Sequence, residues 1–272
     1  MKSDLLGAYV IWLRELKRFW RDKSRVLGAI MQPTLYLFIL GTGLGSVIMS
    51  ARTGAIGSGQ AGFGGYVTFI YPGIIGMTAL FTSIFSAISI IWDREFGFLK
   101  EVLVAPVSRW AVALGKALGG SSVATMQGLL LLVFAPLVGV QLTPLMVVKL
   151  TVILFATSFA LTSMGIVVAA TLKTIESFQM VMNFLMMPIF FLSGAMFPLV
   201  NLPAWLAVLT KLDPLAYGVD ALRGTMLVGQ NVPAGSGLLT PQVYSLGFDF
   251  AVILGFGAVM IALAVVAFSR QE

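Results

Sequence analysis

Residues 150–172 read LTVILFATSFALTSMGIVVAATL and are bounded by Lys149 and Lys173. The stretch contains no charged side chain, and about 20 apolar residues suffice for a helix to cross roughly 30 Å of hydrocarbon. It is continuously apolar, whereas a strand of a membrane barrel alternates apolar and polar residues. The backbone of a single crossing must satisfy its own hydrogen bonds, so the stretch predicts a transmembrane helix.

Five further stretches have the same character, and 58% of the chain is hydrophobic while only 10% is charged. A soluble domain carries about 25% charged residues. All Asp, Glu, Lys and Arg lie outside the six stretches, as the cost of a charge in the bilayer centre requires. The sequence therefore predicts an all-α polytopic membrane protein in which one domain, residues 26–272, contains six transmembrane helices. The other five spans are residues 26–49, 67–92, 118–140, 178–197 and 250–268.

The composition also limits the chemistry of the chain. Cysteine and histidine are absent, which removes thiolate nucleophiles, imidazole bases and most metal sites. Gly115 and Lys116 do not form a phosphate-binding loop, because that motif needs a glycine five residues earlier and a hydroxyl residue next. Trp110 and Ala117 occupy those positions. We expect no catalytic site, metal or bound cofactor in this chain.

Residues 1–25 precede the first span. Apolar and basic side chains occupy opposite faces of a helix over residues 3–20, which predicts a cytoplasmic amphipathic helix in the headgroup plane. Attraction to anionic lipids explains the net charge of +6 more simply than nucleic-acid binding does. The apolar residues are Leu5, Tyr9, Trp12, Leu16 and Phe19, and the basic ones are Arg14, Lys17, Arg18 and Arg21.

The distribution of basic residues predicts the topology. Thirteen of the 17 Lys and Arg residues lie before the first span, in the connectors after spans two and four, or in the C-terminal tail. Basic residues near span ends are retained in the cytoplasm. We therefore expect both termini to be cytoplasmic in the inner or plasma membrane, and residues 93–117 to form the longest cytoplasmic connector.

Two connectors carry further patterns. In residues 93–117, Phe96, Leu99 and Leu103 share a helical face, which could enter a groove on a soluble partner, although an interfacial helix would look the same. In residues 199–229, Asp213 can cap a helix that begins at Pro214, where Arg223 would complement the helix dipole. This second segment predicts short interfacial or re-entrant outer helices that close the pathway, although a plain interfacial turn is the alternative.

These same two connectors carry a family resemblance. EFGFLKEVL at 95–103 and APVSR at 105–109 resemble the coupling-helix signature of type 2 ATP-binding-cassette (ABC) exporter permeases, and the chain is similar to daunorubicin-resistance membrane proteins. FFLSGAMFP at 190–198 and DPLAY at 213–217 resemble the outer segment of that family. The resemblance assigns ATPase docking to Glu95, Gly97, Leu99, Lys100, Glu101, Leu103, Pro106 and Arg109. It assigns an outer gate to Trp205, Asp213, Pro214, Tyr217 and Arg223.

The resemblance implies a permease subunit that exports an amphipathic or lipid-like substrate. Two copies of a separate ATPase subunit would bind ATP and Mg, and a second copy of this chain would complete the pathway. Since no ionisable group lies in the predicted spans, energy should come from that partner rather than from an ion gradient. Export of a polysaccharide or lipid-linked glycan is the alternative within the family. An ion-coupled carrier and a non-transport assembly factor are alternatives outside it, and no pathway residue is assigned.

Overall fold

The structure is a computed structural model that describes residues 2–21, 23–53, 61–95, 108–199, 202–227 and 243–269. These residues form α-helices and two short 3-10 turns, with no strand among them. The helices are α1 (Lys2–Arg21), α2 (Lys23–Thr53), α3 (Ala61–Ser86), α4 (Ile88–Glu95), α5 (Arg109–Leu131), α6 (Pro144–Thr171), α7 (Ile175–Leu192), α8 (Ala204–Leu212), α9 (Pro214–Leu227) and α10 (Leu246–Ser269). The all-α prediction is confirmed.

Six segments are long and apolar enough to cross a membrane, which confirms the predicted number of spans. They are Val26–Gly43, Tyr66–Glu95, Arg109–Phe134, Pro144–Thr171, Ile175–Leu192 and Leu246–Phe268. Local sequence fixes where two of them begin. Thr143 accepts a hydrogen bond from the Met146 amide at 3.3 Å and precedes Pro144, while Thr174 accepts one from the Ser177 amide at 3.2 Å. Each threonine thereby satisfies an amide that has no partner within the helix.

The helices extend beyond the predicted spans, and the added turns contain charged residues. The third segment starts at Arg109 rather than at residue 118, and it contains Lys116. Asp93 and Asp249 likewise fall within the second and sixth segments. The helix ends therefore differ from the predicted span ends, which were placed so as to exclude every charge, because a charge with a partner is tolerated in a helix.

The helix α5, which contains Lys116, also ends earlier than predicted. The α-helical part of α5 stops at Leu131, and residues 132–138 form the two 3-10 turns before Gly139 adopts a left-handed backbone with φ of 82°. Pro136 lacks an amide hydrogen and its ring would clash with the carbonyl four residues earlier. A continuous α-helix to residue 140 is therefore excluded.

Three helices form the centre of the bundle and three lie around it. Most of each apolar window is buried in α3, α5 and α6, whereas only 18%, 22% and 17% is buried in α2, α7 and α10. α10 packs on α6, α2 packs on α3, and α1 packs along α5. The peripheral helices therefore expose apolar faces that suit lipid or another protein chain.

The N-terminal segment forms the predicted helix, but its apolar residues do not share one environment. Phe19 is buried and the Trp12 indole nitrogen donates to the Ser122 hydroxyl at 3.0 Å, whereas Leu5 and Tyr9 are more than half exposed. α1 can approach α5 closely because a β-carbon at Gly115 would lie 2.8 Å from the Ala8 carbonyl oxygen. One face of α1 is therefore packed on the protein, and its placement in the headgroup plane remains a prediction.

Candidate functional site

A buried ionic cluster joins α1, α4 and α5. The Lys116 ammonium lies 2.7 Å from Glu15, 2.7 Å from Asp93 and 2.9 Å from the Ser89 hydroxyl. These three partners use all three hydrogens of the ammonium. Arg14 donates to Asp93 at 2.7 Å and to Glu15 at 3.3 Å. Two cations thus face two carboxylates, and a charge that would be costly alone is neutralised.

The electrostatics of Glu15 reflect this pairing. Burial raises the pKa of its carboxyl, but the charge and hydrogen bond of Lys116 outweigh burial, so the pKa lies below its ordinary value. Arg14 lowers it further. Glu15 is therefore ionised at neutral pH, and the cluster holds α1 against α4 and α5 by charge as well as by packing.

The cluster lies beside the segment 96–107, which the structure does not describe. α4 ends at Glu95 and α5 begins at Arg109, so these helices are the two roots of that segment. Arg14 holds the first root through Asp93. Asp4 holds the second, since its carboxylate accepts the Ser108 amide at 2.9 Å. Interaction with Ser108, through its side chain and its amide, lowers the pKa of the Asp4 carboxyl to about 2. α1 therefore contacts both roots.

Arginine side chains at the two roots also bind the ends of two other helices. Arg94 donates to the carbonyl of Leu172 at 2.7 Å, at the end of α6, and Arg109 donates to that of Phe268 at 2.7 Å, at the end of α10. The last carbonyls of a helix lack partners within the helix and carry partial negative charge, so cations there are stabilising. The roots of the 96–107 segment are thus connected directly to two long helices.

The predicted docking residues fall in different places. Glu95 is exposed at the end of α4, beside the cluster. Arg109 was assigned to the docking surface, but it lies in the first turn of α5 and its guanidinium binds the end of α10. Gly97, Leu99, Lys100, Glu101, Leu103 and Pro106 lie outside the described residues, and their docking role remains a prediction.

At the opposite end, Asp213 and Pro214 start α9 as predicted. The Asp213 carboxylate accepts the Leu215 amide at 2.9 Å, which is the expected cap. Its second oxygen is buried without a hydrogen-bond partner among the described residues. Burial raises the pKa of Asp213 to about 8, against the opposing effect of the Leu215 amide. Tyr217 is buried, and its hydroxyl donates to the Lys211 carbonyl at 2.8 Å.

Arg223 was predicted to complement the dipole of its own helix, α9, but its guanidinium binds other elements. Its guanidinium donates to the Gly194 carbonyl at 2.7 Å, in the turn after α7, and lies 4.2 Å from the ring centroid of Phe69 on α3. Asp220, one turn earlier, accepts the amides of Val243 and Tyr244 at 2.9 Å each. The two charged residues of α9 therefore bind the turn after α7 and the start of α10.

The predicted gate residues do not form one surface. Trp205 on α8 is 67% exposed, while Asp213, Tyr217 and Arg223 are buried. α9 packs between α3, α6 and α10, and residues 213–224 are buried throughout. α9 is thus a core element of the bundle, whereas α8 is exposed.

An apolar cavity of about 340 Å³ lies between α2, α3 and α7. Tyr36, Met77, Phe81, Met187 and Phe191 contribute to its lining. Gln32 and Tyr36 carry the polar side-chain groups of its described lining, an amide and a phenol hydroxyl. Volumes of about 300 to 1,000 Å³ with few polar groups are typical of small-molecule sites.

Sequence reasoning missed the ionic cluster entirely. Lys116 was counted as an ordinary cytoplasmic charge, although it stands in the apolar run AVALGKALGG with Gly115 and Gly119 nearby. Glycines at that spacing on one helical face indicate close approach of another helix. Taken together, a lone lysine and a small-residue face were the available signal, but neither identifies Glu15 or Asp93 as partners.

Comparison with known proteins gives consistent matches over most of the chain. The sequence profile described as ABC-2 type transporter matches residues 8–227. The transport permease ycf38 of Cyanophora paradoxa is 30% identical over 79% of this chain and 72% of its own length. The inner membrane transport permease YadH of Escherichia coli (strain K12) is 29% identical over 82% and 84%. Nodulation protein J of Rhizobium leguminosarum bv. viciae is 28% identical over 82% and 83%.

Proposed function

Because this chain belongs to the ABC-2 type transporter family, we propose that it is the permease subunit of an exporter driven by a separate ATPase. Two ATPase subunits, which bind ATP and Mg, dock on the end of the bundle that contains the 96–107 segment. Two copies of the chain form the pathway. The family match and the contacts of α1 with both roots of that segment support this proposal.

The contacts at the roots provide a mechanical route from the ATPase to the spans. A force on residues 96–107 reaches α4 and α5 directly, and it reaches α6 and α10 through Arg94 and Arg109. These hydrogen bonds link the ends of α6 and α10 to the roots, so a displacement of the roots is transmitted to both helices. ATP binding then selects between two packings of the bundle, by the differential contacts it makes with each.

The apolar cavity supports an amphipathic or lipid-like substrate. Met77, Met187 and Phe191 present adaptable and aromatic surfaces, while Gln32 offers both a hydrogen-bond donor and an acceptor. Methionine side chains repack around varied apolar ligands. We assign these four residues to the substrate pathway, and a large hydrophilic glycan is the less favoured cargo on the same ground.

The outer face of α7 is the proposed contact with the second copy. Met180, Phe184 and Met187 are exposed at 78%, 82% and 57%, and Phe191 continues the same face beside the cavity. A second copy placed there would bury large apolar side chains and close the cavity from one side. In this arrangement both termini and the ionic cluster face the cytoplasm, where basic residues near span ends are retained.

The ATPase interface can be tested by co-purification of the tagged chain with its ATPase. Glu101→Arg and Leu103→Asp should each abolish the association, while transport falls to background. Glu176→Arg, at an exposed position beside α6's end, and Leu212→Asp, at an exposed position on α8, are matched controls. Equal retention of the ATPase by all four variants would contradict the proposed interface.

A further inference from the structure

α1 lines an open basic pocket of about 760 Å³. Its described lining residues form one stripe along the helix, with Val10 and Leu13 at one end and basic residues following them. The basic residues are Arg14, Lys17, Arg18 and Arg21. Residues three and four apart share a helical face, so these cations converge on one side of α1.

The charges in this pocket are not balanced. Within the described part of the chain, Arg14 shares Asp93 and Glu15 with Lys116, while Lys17, Arg18 and Arg21 have no carboxylate within ion-pair distance. The four basic residues of the pocket and the adjoining Lys116 therefore face two carboxylates, Glu15 and Asp93, which leaves a net charge of +3. The Arg18 guanidinium lies 4.5 Å from the ring centroid of Trp92, which fixes its position by a cation–π contact.

The apolar surface beside the pocket decides which anion fits. Leu5, Leu6, Tyr9 and Val10 are all more than half exposed on the N-terminal part of α1. A phospholipid has an acidic phosphate joined to apolar chains. The phosphate matches the basic surface of α1, and the chains match the apolar surface beside it. Arginine pairs bind phosphate oxygens in bidentate geometry, and basic residues near a membrane attract anionic lipids.

We propose that this pocket binds the phosphate of an anionic phospholipid, with Lys17, Arg18 and Arg21 on the phosphate and the apolar end of α1 against the acyl chains. Among the described residues, the site shares no lining residue with the substrate cavity and includes neither Glu95 nor Arg109. The pocket borders the ionic cluster through Arg14. A bound lipid phosphate would therefore stabilise α1 in the position in which Arg14 and Asp4 contact the two roots of the 96–107 segment. The proposal does not depend on which substrate is exported.

The test is lipid binding to the full chain in neutral detergent, measured by native mass spectrometry. Dioctanoylphosphatidylglycerol should bind at least tenfold more tightly than dioctanoylphosphatidylcholine. Lys17→Gln with Arg21→Gln should weaken phosphatidylglycerol about 30-fold, as expected for the loss of two cations near a lipid phosphate. Both side chains are exposed, so folding should persist, and Lys17→Arg with Arg21→Lys should retain binding.

The matched control is Lys149→Gln with Lys211→Gln, which removes the same charge from exposed positions on other helices. This control should leave phosphatidylglycerol binding unchanged, and an equal loss would reduce the effect to overall charge and overturn the proposal. Inorganic phosphate should compete only weakly, because it lacks the apolar chains, whereas phosphate binding as tight as the lipid's would also overturn it. If Lys17→Gln with Arg21→Gln spared lipid binding but released the ATPase, the pocket would be a protein contact instead.

Discussion

Replacing Lys116 of α5 with methionine removes the cation that contacts α1 and α4, while preserving most of the length of the side chain. Glu15 and Asp93 would then share only Arg14, and the Ser89 hydroxyl would lose its charged donor. Removing one member of a buried ion pair costs about 3 to 5 kcal/mol, because the remaining charge stays buried without its partner. Arg14 is 33% exposed and still neutralises part of the excess, so we expect about 3 kcal/mol, the lower end of that range.

The assay is unfolding of the purified chain in mixed micelles by sodium dodecyl sulfate, followed by circular dichroism. Lys149→Met is the control, since Lys149 is exposed near the start of α6. Adding Glu15→Gln to Lys116→Met should recover at least half of the lost stability, because one carboxylate then remains beside Arg14. A Lys116→Met variant within about 0.5 kcal/mol of the control, the range of ordinary surface substitutions, would refute the reasoning, as would a double variant no more stable than the single one.

Two further predictions concern the end of the bundle that contains the turn after α7 and the start of α9. Gly73→Ala should destabilise the chain by about 1 to 3 kcal/mol, because its β-carbon would lie 2.6 Å from the Ala195 α-carbon, whereas Gly255→Ala, with open space around it, should be tolerated in the same unfolding assay. Asp213→Asn should flatten the pH dependence of thermal stability between about pH 4 and pH 8. Since burial raises the pKa of Asp213 to about 8 from 3.8, the folded state binds the extra proton and stability falls as pH rises through this window. An unchanged pH profile in Asp213→Asn would contradict that assignment.

The number and type of the long helices could be predicted from the sequence because each has its own local signal. Residues 150–172 contain no charge, and the helix found there, Pro144–Thr171, overlaps them closely. Asp213 followed by Pro214 is likewise a local signal, and the predicted cap is present at 2.9 Å. Hydrophobicity and capping act over a few residues, so a single sequence reveals them.

The ionic cluster could not be predicted in this way, because its members are far apart in the chain. Glu15 and Lys116 are separated by 101 positions. Each charge alone argues for a position outside a span, and only tertiary contact shows that their charges cancel. The same limit applies to Arg223, whose partner Gly194 is 29 positions away. The position of Arg223 near the end of α9 suggested an interaction with the helix dipole. In the tertiary structure its side chain instead binds the turn after α7.

The energetic argument from charge-free spans also changes. Asp93, Lys116 and Asp249 lie within the helices that are candidate membrane spans. Ion coupling is therefore not excluded by a lack of ionisable groups in these helices. Dependence on ATP is instead inferred from membership of the transporter family and from the contacts of α1 with both roots of the 96–107 segment.

The most direct measurement is export of an amphipathic dye by vesicles that contain the chain together with its ATPase. Export should require ATP and Mg, should stop when a nonhydrolysable ATP analogue replaces ATP, and should be unaffected when proton and sodium gradients are collapsed. Leu103→Asp should abolish it, while Leu212→Asp should retain it. Export that persists without nucleotide and follows an imposed proton or sodium gradient would contradict the account.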